Sequence, residues 1–72
     1  MRLRIISEER ELVNEEVHKV TLPGAEGEMT ILEGHTKLMS LLKKGVVRYS
    51  GGEKEIAEGI AWVEKEQVTI IL

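Results

Sequence analysis

The sequence predicts a small all-β domain, either a sandwich or a barrel. The chain has 72 residues, enough for one domain, and we assign residues 1–72 to it. Its seven glycines separate short segments that are rich in Val, Ile and Leu. Within several segments apolar and polar side chains alternate, which is the period of a half-buried strand. Many short strands with turn residues between them are typical of sandwiches and barrels.

Four strands are predicted in the first half of the chain. The expected bounds are 3–7, 11–14, 17–22 and 28–32. Pro23 and Gly24 should end the third strand, because proline has no N–H to donate to the ladder and the pair favours a turn.

The segment 34–44 is ambiguous. Leu38, Leu41 and Leu42 recur at offsets of three and four, the spacing of one helix face. The segment is bounded by glycines and is too short for a stable isolated helix. We therefore expect an irregular segment with at most one helical turn.

A hairpin is predicted around the glycine pair at positions 51 and 52. Two glycines accept the positive φ angles of a type I′ turn, and segments 46–50 and 53–57 flank them. Such a two-residue turn sets the register of the strands. The expected facing pairs are Ser50 with Glu53, Tyr49 with Lys54, Arg48 with Glu55, and Val47 with Ile56.

Segments 59–63 and 68–72 predict a second hairpin. Alternation places Val68, Ile70 and Leu72 in the core and turns Ile71 to the opposite face, where it needs cover. For Trp62 we favour a place in the core over an exposed contact, although tryptophan is enriched at binding hot spots.

Composition argues against several classes of partner. The formal net charge is −3, and a mildly acidic surface disfavours non-specific binding to nucleic acid or anionic lipid. Tyr49 and Trp62 are the only aromatic residues, too few to stack nucleic-acid bases. No apolar run approaches the length of about 20 residues that spans a bilayer. We expect no nucleic-acid partner and no direct membrane insertion.

The sequence contains no catalytic motif. Its three serines lie outside any Gly-x-Ser-x-Gly elbow, and the glycine-rich segment 23–28 lacks the Gly-Lys-Ser/Thr ending of a phosphate loop. There is no cysteine, and only His18 and His35 could offer nitrogen to a metal. We expect no catalytic residue, no cofactor, no metal ion and no small-molecule ligand.

One lysine resembles the carrier lysine of lipoyl and biotinyl domains. Lys37 is followed by Leu38 and Met39, and carrier domains place a methionine beside the modified lysine. A carrier lysine belongs at a hairpin tip between hydrophobic strands, and Lys37 is not in such a setting. The carrier interpretation is therefore disfavoured.

An apolar cluster suggests contact with another protein. Met29 and Met39 accompany the leucines of the ambiguous segment, and methionine suits adaptable contact surfaces as well as cores. The leucines fit a core better than a contact. His35 fits a turn residue and an interface donor equally well.

A longer motif resembles a known family. From Val17 the chain reads V-H-K-V-T-L-P-G-A-E-G-E, followed by I-L, G-H and a glycine at position 45, and it closes with V-T-I-I-L. The spacing matches, without gaps up to Gly45, the pattern V-x-x-V-x-L-P-G-x-E-G-E-x-G-I-L-P-G-H. The chain therefore resembles the N-terminal domain of the epsilon subunit of F-type ATP synthases. The chain departs from the family at Thr30 and Glu58, which replace usual glycines, and at Glu33 and Lys37, which replace usual prolines. The resemblance implies a flattened sandwich of about ten short strands in two sheets.

The resemblance also implies a role and partners. Members of the family are non-catalytic rotor subunits of the central stalk. They link the gamma subunit to the membrane c ring and lie peripherally on the cytoplasmic side of the membrane. A helical domain, which regulates the enzyme and in some members binds ATP, normally follows, and this chain ends before it. The alternative is a free-standing β-sandwich adaptor of another protein complex.

The family's contact surfaces are carried over by position. Glu28 matches the glutamate of the loop that faces the c ring, and His35 matches a histidine near the gamma-facing surface. The expected c-ring-facing residues are Glu26, Glu28 and Met29, and the expected gamma-facing residues are His35, Leu38, Met39, Leu41 and Leu42.

Overall fold

The computed structural model describes residues 1–72 and contains nine β-strands and no helix. The all-β fold class is confirmed, with nine strands where about ten were expected. The strands are β1 (Arg2–Ile6), β2 (Glu11–Glu16), β3 (Lys19–Gly24), β4 (Gly27–Leu32), β5 (Leu38–Leu42), β6 (Gly45–Tyr49), β7 (Gly52–Ile56), β8 (Gly59–Val63) and β9 (Gln67–Ile71).

The strands form two groups that share one core. One group has the order β2-β1-β9-β8-β5, and the other consists of β6 and β7 beside β3, with β4 on the opposite edge of β3. Gly24 of β3 pairs with Leu42 of β5, so the hydrogen bonds run continuously through one curled sheet. All neighbours are antiparallel except β1 and β9. The extents of 27 × 26 × 18 Å give the flattened shape that was expected.

Fifteen buried apolar side chains form a single core, and every strand supplies at least one of them. Along β1 the buried residues are Leu3 and Ile5, and along β3 they are Val20 and Leu22. This alternation reflects the two-residue period of a strand, which turns successive side chains to opposite faces. Each buried Val, Leu or Ile contributes about 1.5–3 kcal/mol of transfer free energy.

Pro23 does not end its strand, contrary to the sequence prediction. β3 continues to Gly24, and Pro23 is buried opposite Glu28 of β4. The strand tolerates proline here because β3 changes neighbour at this point. Thr21 pairs with β6, whereas Gly24 pairs with β5. Because Pro23 lies between these two pairings, its missing N–H breaks no hydrogen-bond ladder to β5 or β6. Its carbonyl accepts a hydrogen bond from the Lys43 N–H at 2.9 Å.

The ambiguous segment contains a strand, so the prediction of an irregular segment with a helical turn was wrong for residues 38–42. β5 pairs with β8 along its whole length. Leu38 and Leu42 face the core, while Met39 and Leu41 face outward. Because both faces of β5 are apolar, the sequence shows no alternation and its leucines fall at helical offsets.

The β6–β7 hairpin exists, but its predicted register was wrong by two residues. Ser50 and Gly51 form the turn, and neither has a positive φ angle, so the turn is not of type I′. A shift of two residues keeps every side chain on its own face, so the burial pattern could not distinguish the two registers. The observed pairs are Tyr49 with Gly52, Arg48 with Glu53, Val47 with Lys54, Val46 with Glu55, and Gly45 with Ile56.

The glycines of this hairpin serve other purposes than a type I′ turn. Gly52 has a φ of 153°, which side-chain-bearing residues rarely adopt. A Cβ at Gly51 would require the exposed Glu15 carboxylate to move aside. Ser50 holds the turn to the neighbouring segment, because its Oγ accepts a hydrogen bond from the His18 N–H at 3.1 Å.

Two side chains that we expected in the core lie at the surface. Trp62 is 49% exposed because its neighbours Ala61 and Val63 take the inward positions of β8. Leu72 is 38% exposed because β9 ends one residue earlier, so the alternation stops before it. Ile71 faces away from the core as expected and is 51% exposed.

The contact between β8 and β9 generates a stability prediction. A Cβ on Gly59 would lie 2.7 Å from the Ile71 carbonyl oxygen, a backbone atom that cannot rotate away. Gly59→Ala should therefore lower the free energy of unfolding, measured in urea, by about 1–3 kcal/mol, the usual cost of overpacking. The exposed neighbour offers a control, since Glu58→Ala should change stability by less than about 0.5 kcal/mol. Wild-type stability in Gly59→Ala would contradict the observed packing.

Candidate functional site

The most distinctive surface is an exposed apolar face on the outside of β5, β8 and β9. We call it the outer apolar face and define it as Met39, Leu41, Ile60, Trp62 and Ile71. The strand register makes these side chains contiguous. Met39 lies opposite Trp62, and Ile60 lies between Leu41 on one side and Ile71 on the other.

The outer apolar face follows from the strand period. In each of the three strands the alternate positions are buried, as with Leu42, Ala61 and Ile70. The apolar residues between them therefore cannot reach the core. Met39 and Leu41 are each 63% exposed. Contiguous exposed apolar side chains are a common feature of interaction sites, which makes this face a candidate contact surface.

A groove runs along one end of the outer apolar face. It has a volume of about 520 Å³, and its apolar lining includes Leu41, Ile60, Ile71 and Leu72. Ala25, from the turn between β3 and β4, completes the apolar lining at that end. The groove therefore joins the outer apolar face to this turn.

The outer side of the other strand group is polar. Thr21 of β3 and Thr30 of β4 face each other with their hydroxyl oxygens 3.2 Å apart. Arg48 of β6 lies between two carboxylates, with Nε 3.6 Å from Glu53 and Nη1 3.8 Å from Glu28. The two outer surfaces of the molecule thus differ sharply in polarity.

The outer apolar face also has a polar border on β1 and β2. Arg4 lies next to Thr69 of β9 in the sheet, and its Nε donates to Glu11 Oε2 at 2.6 Å. This hydrogen bond is the main reason that the pKa of Glu11 is lowered. A charged margin beside an apolar centre is the usual anatomy of a protein–protein interface.

The β3–β4 turn and the start of β4 carry two exposed carboxylates. Glu26 lies beside the outer apolar face, whereas Glu28 lies near Arg48 on the polar outer side. Glu26 and Glu28 are exposed, and the Ala25 N–H donates to the Leu41 carbonyl at 2.8 Å, which ties the turn to β5. A hollow of about 320 Å³ separates the turn from β5 and is lined by both Glu26 and Met39. We call residues 25–28 the acidic turn.

The structure brings together part of the predicted site. Of the expected c-ring-facing residues, Glu26 and Glu28 are exposed on the acidic turn, whereas Met29 is half-buried against the core. Met29 still lines the hollow beside Met39 and Leu41.

The expected gamma-facing residues divide between two faces of β5. Met39 and Leu41 belong to the outer apolar face, whereas Leu42 is 4% exposed and Leu38 packs against the core. His35 is half-buried in the loop between β4 and β5, with Nδ1 2.8 Å from the Thr36 carbonyl oxygen.

The sequence pattern did not show that three exposed residues of the outer apolar face, Ile60, Trp62 and Ile71, form one connected group. A signal existed, because Ala61 and Val63 are natural inward partners for Val68 and Ile70 in a hairpin. That pairing turns the apolar residues that alternate with them toward the outside of the sheet. Pairing with β5 could not be foreseen, since β5 was not recognised as a strand.

The His and Glu side chains form no group of three or more that could hold a metal ion. The chain contains no helix with the length and apolarity to cross a membrane. Every buried side-chain nitrogen or oxygen has a hydrogen-bond partner.

Comparison with known proteins identifies relatives over the whole chain. The profile of the ATP synthase, Delta/Epsilon chain, beta-sandwich domain matches residues 1–72. The ATP synthase epsilon chain of Psychrobacter arcticus is 38% identical, and the match covers 99% of this chain and 55% of that protein. The chain thus spans about half the length of the curated relative.

Solved structures agree with this match. A chain in the Euglena gracilis mitochondrial ATP synthase structure, described as OSCP/F1/c-ring, superposes with a TM-score of 0.85 and 28% identity, covering 96% of this chain and 48% of that one. A chain in the central stalk and c-ring structure of the Tetrahymena thermophila mitochondrial ATP synthase has the same fold, with a TM-score of 0.82, 13% identity, and coverage of 99% and 61%. This chain belongs to the ATP synthase delta/epsilon family and corresponds to its β-sandwich domain.

Proposed function

We propose that this chain is a non-catalytic rotor subunit of an F-type ATP synthase that links the gamma subunit to the membrane c ring. The observation that supports this role most strongly is the contiguity of the outer apolar face and the acidic turn. One rigid domain then offers two chemically different contact surfaces side by side. Family membership supplies the context, since the Tetrahymena relative of this fold comes from a central stalk and c-ring structure.

The outer apolar face is the proposed docking surface for gamma. Stable interfaces have a dehydrated centre in which aromatic and methionine side chains are enriched and charged ones depleted. The outer apolar face contains Trp62 and Met39 facing each other, while Lys43 and Glu58 line the groove at its end. Trp62 is the expected hot spot, because a tryptophan near the centre of an interface buries a large apolar area.

The acidic turn is the proposed contact with the c ring. Glu26 lies in the turn, whose backbone is held to β5 by the hydrogen bond between Ala25 and Leu41, and Glu28 follows as the second residue of β4. Paired with basic loops of the ring, these carboxylates would set the orientation of the contact and speed encounter. The apolar surface would supply most of the binding energy and the charges most of the orientation.

Continuity of the sheet supports a role in transmitting torque. Gly24 and Leu42 connect the strand group of the acidic turn to the strand group of the outer apolar face. A rotation imposed at one surface is then carried to the other through backbone hydrogen bonds and a close-packed core, which deforms little. In this role the chain supports the coupling of ion flow to ATP synthesis and lies peripherally at the cytoplasmic side of the membrane.

Replacing the tryptophan tests the gamma contact. Trp62→Ser should weaken binding to purified gamma about 30-fold, the effect of losing a hot spot of about 2 kcal/mol. Calorimetric titration of the chain into gamma measures this change. The melting temperature should stay within about 4 °C of the wild type, because half of the ring is already outside the core.

The matched control changes the polar outer surface. Glu53→Ser alters an exposed residue of β7, and its affinity for gamma should equal that of the wild type. An unchanged affinity of Trp62→Ser, or equal losses in both variants, would refute the proposed docking surface. Binding to neither gamma nor the c ring would favour an adaptor of another complex.

Charge reversal tests the c-ring contact. Glu28→Lys should weaken binding to detergent-solubilised c rings several-fold at low salt, and the loss should shrink at about 1 M salt, where screening is strong. Glu9→Lys makes the same change of charge in the turn between β1 and β2 and should bind normally. Equal weakening by both variants would mean that net charge, and not the acidic turn, governs the contact.

A further inference from the structure

The hollow between the acidic turn and β5 has walls from two separate parts of the chain. Ala25 and Glu26 of the acidic turn lie on one side, and Met39, Ser40 and Leu41 of β5 lie on the other. Its volume of about 320 Å³ is at the lower end of the range of about 300–1,000 Å³ that is usual for ligand pockets. A hollow of this size suits a single side chain better than a large ligand.

The backbone around the hollow is held in place. A Cβ on Gly24 would lie 2.9 Å from Met29 Cε and 3.6 Å from Ser40 Oγ, so these two lining residues approach each other over a position that has no side chain. The Ala25 N–H donates to the Leu41 carbonyl at 2.8 Å, which fixes the acidic turn against β5. The hollow therefore results from backbone packing and hydrogen bonding, while the side chains at its rim can adjust.

Most of the lining is apolar. Four of the six lining residues are apolar, namely Ala25, Met29, Met39 and Leu41. Met29 is half-buried against the core, whereas Met39 and Leu41 are each 63% exposed at the rim. Methionine side chains are unbranched and adapt their shape to what they contact. This lining therefore suits the methylene chain of a long side chain.

Glu26 is the one charged residue in the lining. No ion pair within the chain includes Glu26, whereas Glu28 has Arg48 as a partner at 3.8 Å. Lys43 lines the neighbouring groove and not the hollow. The Glu26 carboxylate is thus the acceptor in this hollow that has no cation of its own.

Ser40 adds a second acceptor. Its hydroxyl donates its one hydrogen to the Leu41 carbonyl at 3.2 Å, which leaves the lone pairs of Oγ to accept from another group. The hollow thus combines an apolar lining with acceptors and offers no side-chain N–H donor.

This combination favours an arginine side chain as the occupant. A purely apolar occupant would take water from the Glu26 carboxylate without replacing its hydrogen bonds, which costs free energy. Arginine buries its methylene chain against apolar groups and keeps five N–H donors at its end. It is also enriched at protein–protein interfaces where lysine is depleted, and its guanidinium group is less strongly hydrated than an ammonium group.

We propose that the hollow is a subsite for an arginine side chain of gamma, the proposed occupant of the outer apolar face. Met39 and Leu41 belong both to the hollow and to the outer apolar face, so a protein docked on that face reaches the hollow directly. The inference rests on the proposed function for the identity of the partner. Within that function it assigns Glu26 to gamma and leaves Glu28, on the side of Arg48, for the c ring.

A small probe tests the hollow without gamma. n-Propylguanidinium reproduces the arginine side chain, and n-propylurea is its neutral analogue. In methyl NMR spectra of the chain, n-propylguanidinium should shift the Met29 and Met39 signals saturably with a Kd on the order of 10 mM, as expected for so small a ligand. The Met1 signal should not move, because Met1 is buried and lies outside the lining. n-Propylurea should bind about five-fold more weakly, since it lacks the charge that pairs with Glu26.

Two variants with the same change of charge test the role of Glu26. Glu26→Gln should lower the affinity for n-propylguanidinium to that for n-propylurea. Glu9→Gln, in the turn between β1 and β2, should leave it unchanged. Both residues are exposed, so both variants should fold as the wild type does. The proposal would be overturned by the absence of saturable shifts of Met29 and Met39, or by equal affinities of the two probes for the wild type.

Titration with gamma separates this inference from the proposed function. Glu26→Gln should weaken binding to gamma about five-fold, and the loss should shrink at about 1 M salt. Wild-type affinity of Glu26→Gln together with the expected loss in Trp62→Ser would overturn the arginine subsite and leave the proposed function standing. Failure of the wild-type chain to bind gamma would refute the proposed function, and with it gamma as the source of the arginine, even where the probe binds.

Discussion

The shared core of the curled sheet is the interaction on which the rest of the structure depends. Fifteen apolar side chains, at least one from each of nine strands, fill the space that the sheet encloses. In a chain of 72 residues there is little other apolar surface to bury, and a core of this size leaves only a few kcal/mol of net stability. The two-residue strand period then commits every second side chain to the outside. Packing of the core therefore decides which residues face outward, but it does not decide whether those residues are polar or apolar.

The outward-facing residues of the two strand groups differ in polarity. Outside β3, β4, β6 and β7 the surface carries threonines and a shared arginine–carboxylate pairing, which water solvates well. Outside β5, β8 and β9 it carries tryptophan, methionine and branched apolar residues. The pairing of Gly24 with Leu42 joins the two groups in one hydrogen-bonded sheet. The Val17 N–H donates to the Met1 carbonyl at 2.8 Å, which ties the residue after β2 to the start of β1. The hydrogen-bonded sheet thus holds the two proposed contact surfaces in a fixed relative position.

Local patterns were sufficient to predict the strands whose faces differ. β9 alternates clearly, and Val68 and Ile70 were predicted correctly to point into the core. β5 was missed because Met39 and Leu42 make both of its faces apolar, which removes the alternation. The β6–β7 register was missed because a shift of two residues leaves burial unchanged. The acidic turn could be located from its motif, whereas the outer apolar face depends on which strands become neighbours. Strand order is set by packing of the whole chain, so no local pattern reveals it.

Oxidative footprinting of the chain, alone and in complex with gamma, tests the central claim most directly. Met39 and Trp62 are exposed, readily oxidised side chains of the outer apolar face, and Tyr49 on β6 provides an internal reference outside it. The account predicts that complex formation strongly slows the oxidation of Met39 and Trp62 and leaves that of Tyr49 unchanged. Oxidation of Met39 and Trp62 at the same rate in the free chain and in a saturated complex would contradict it.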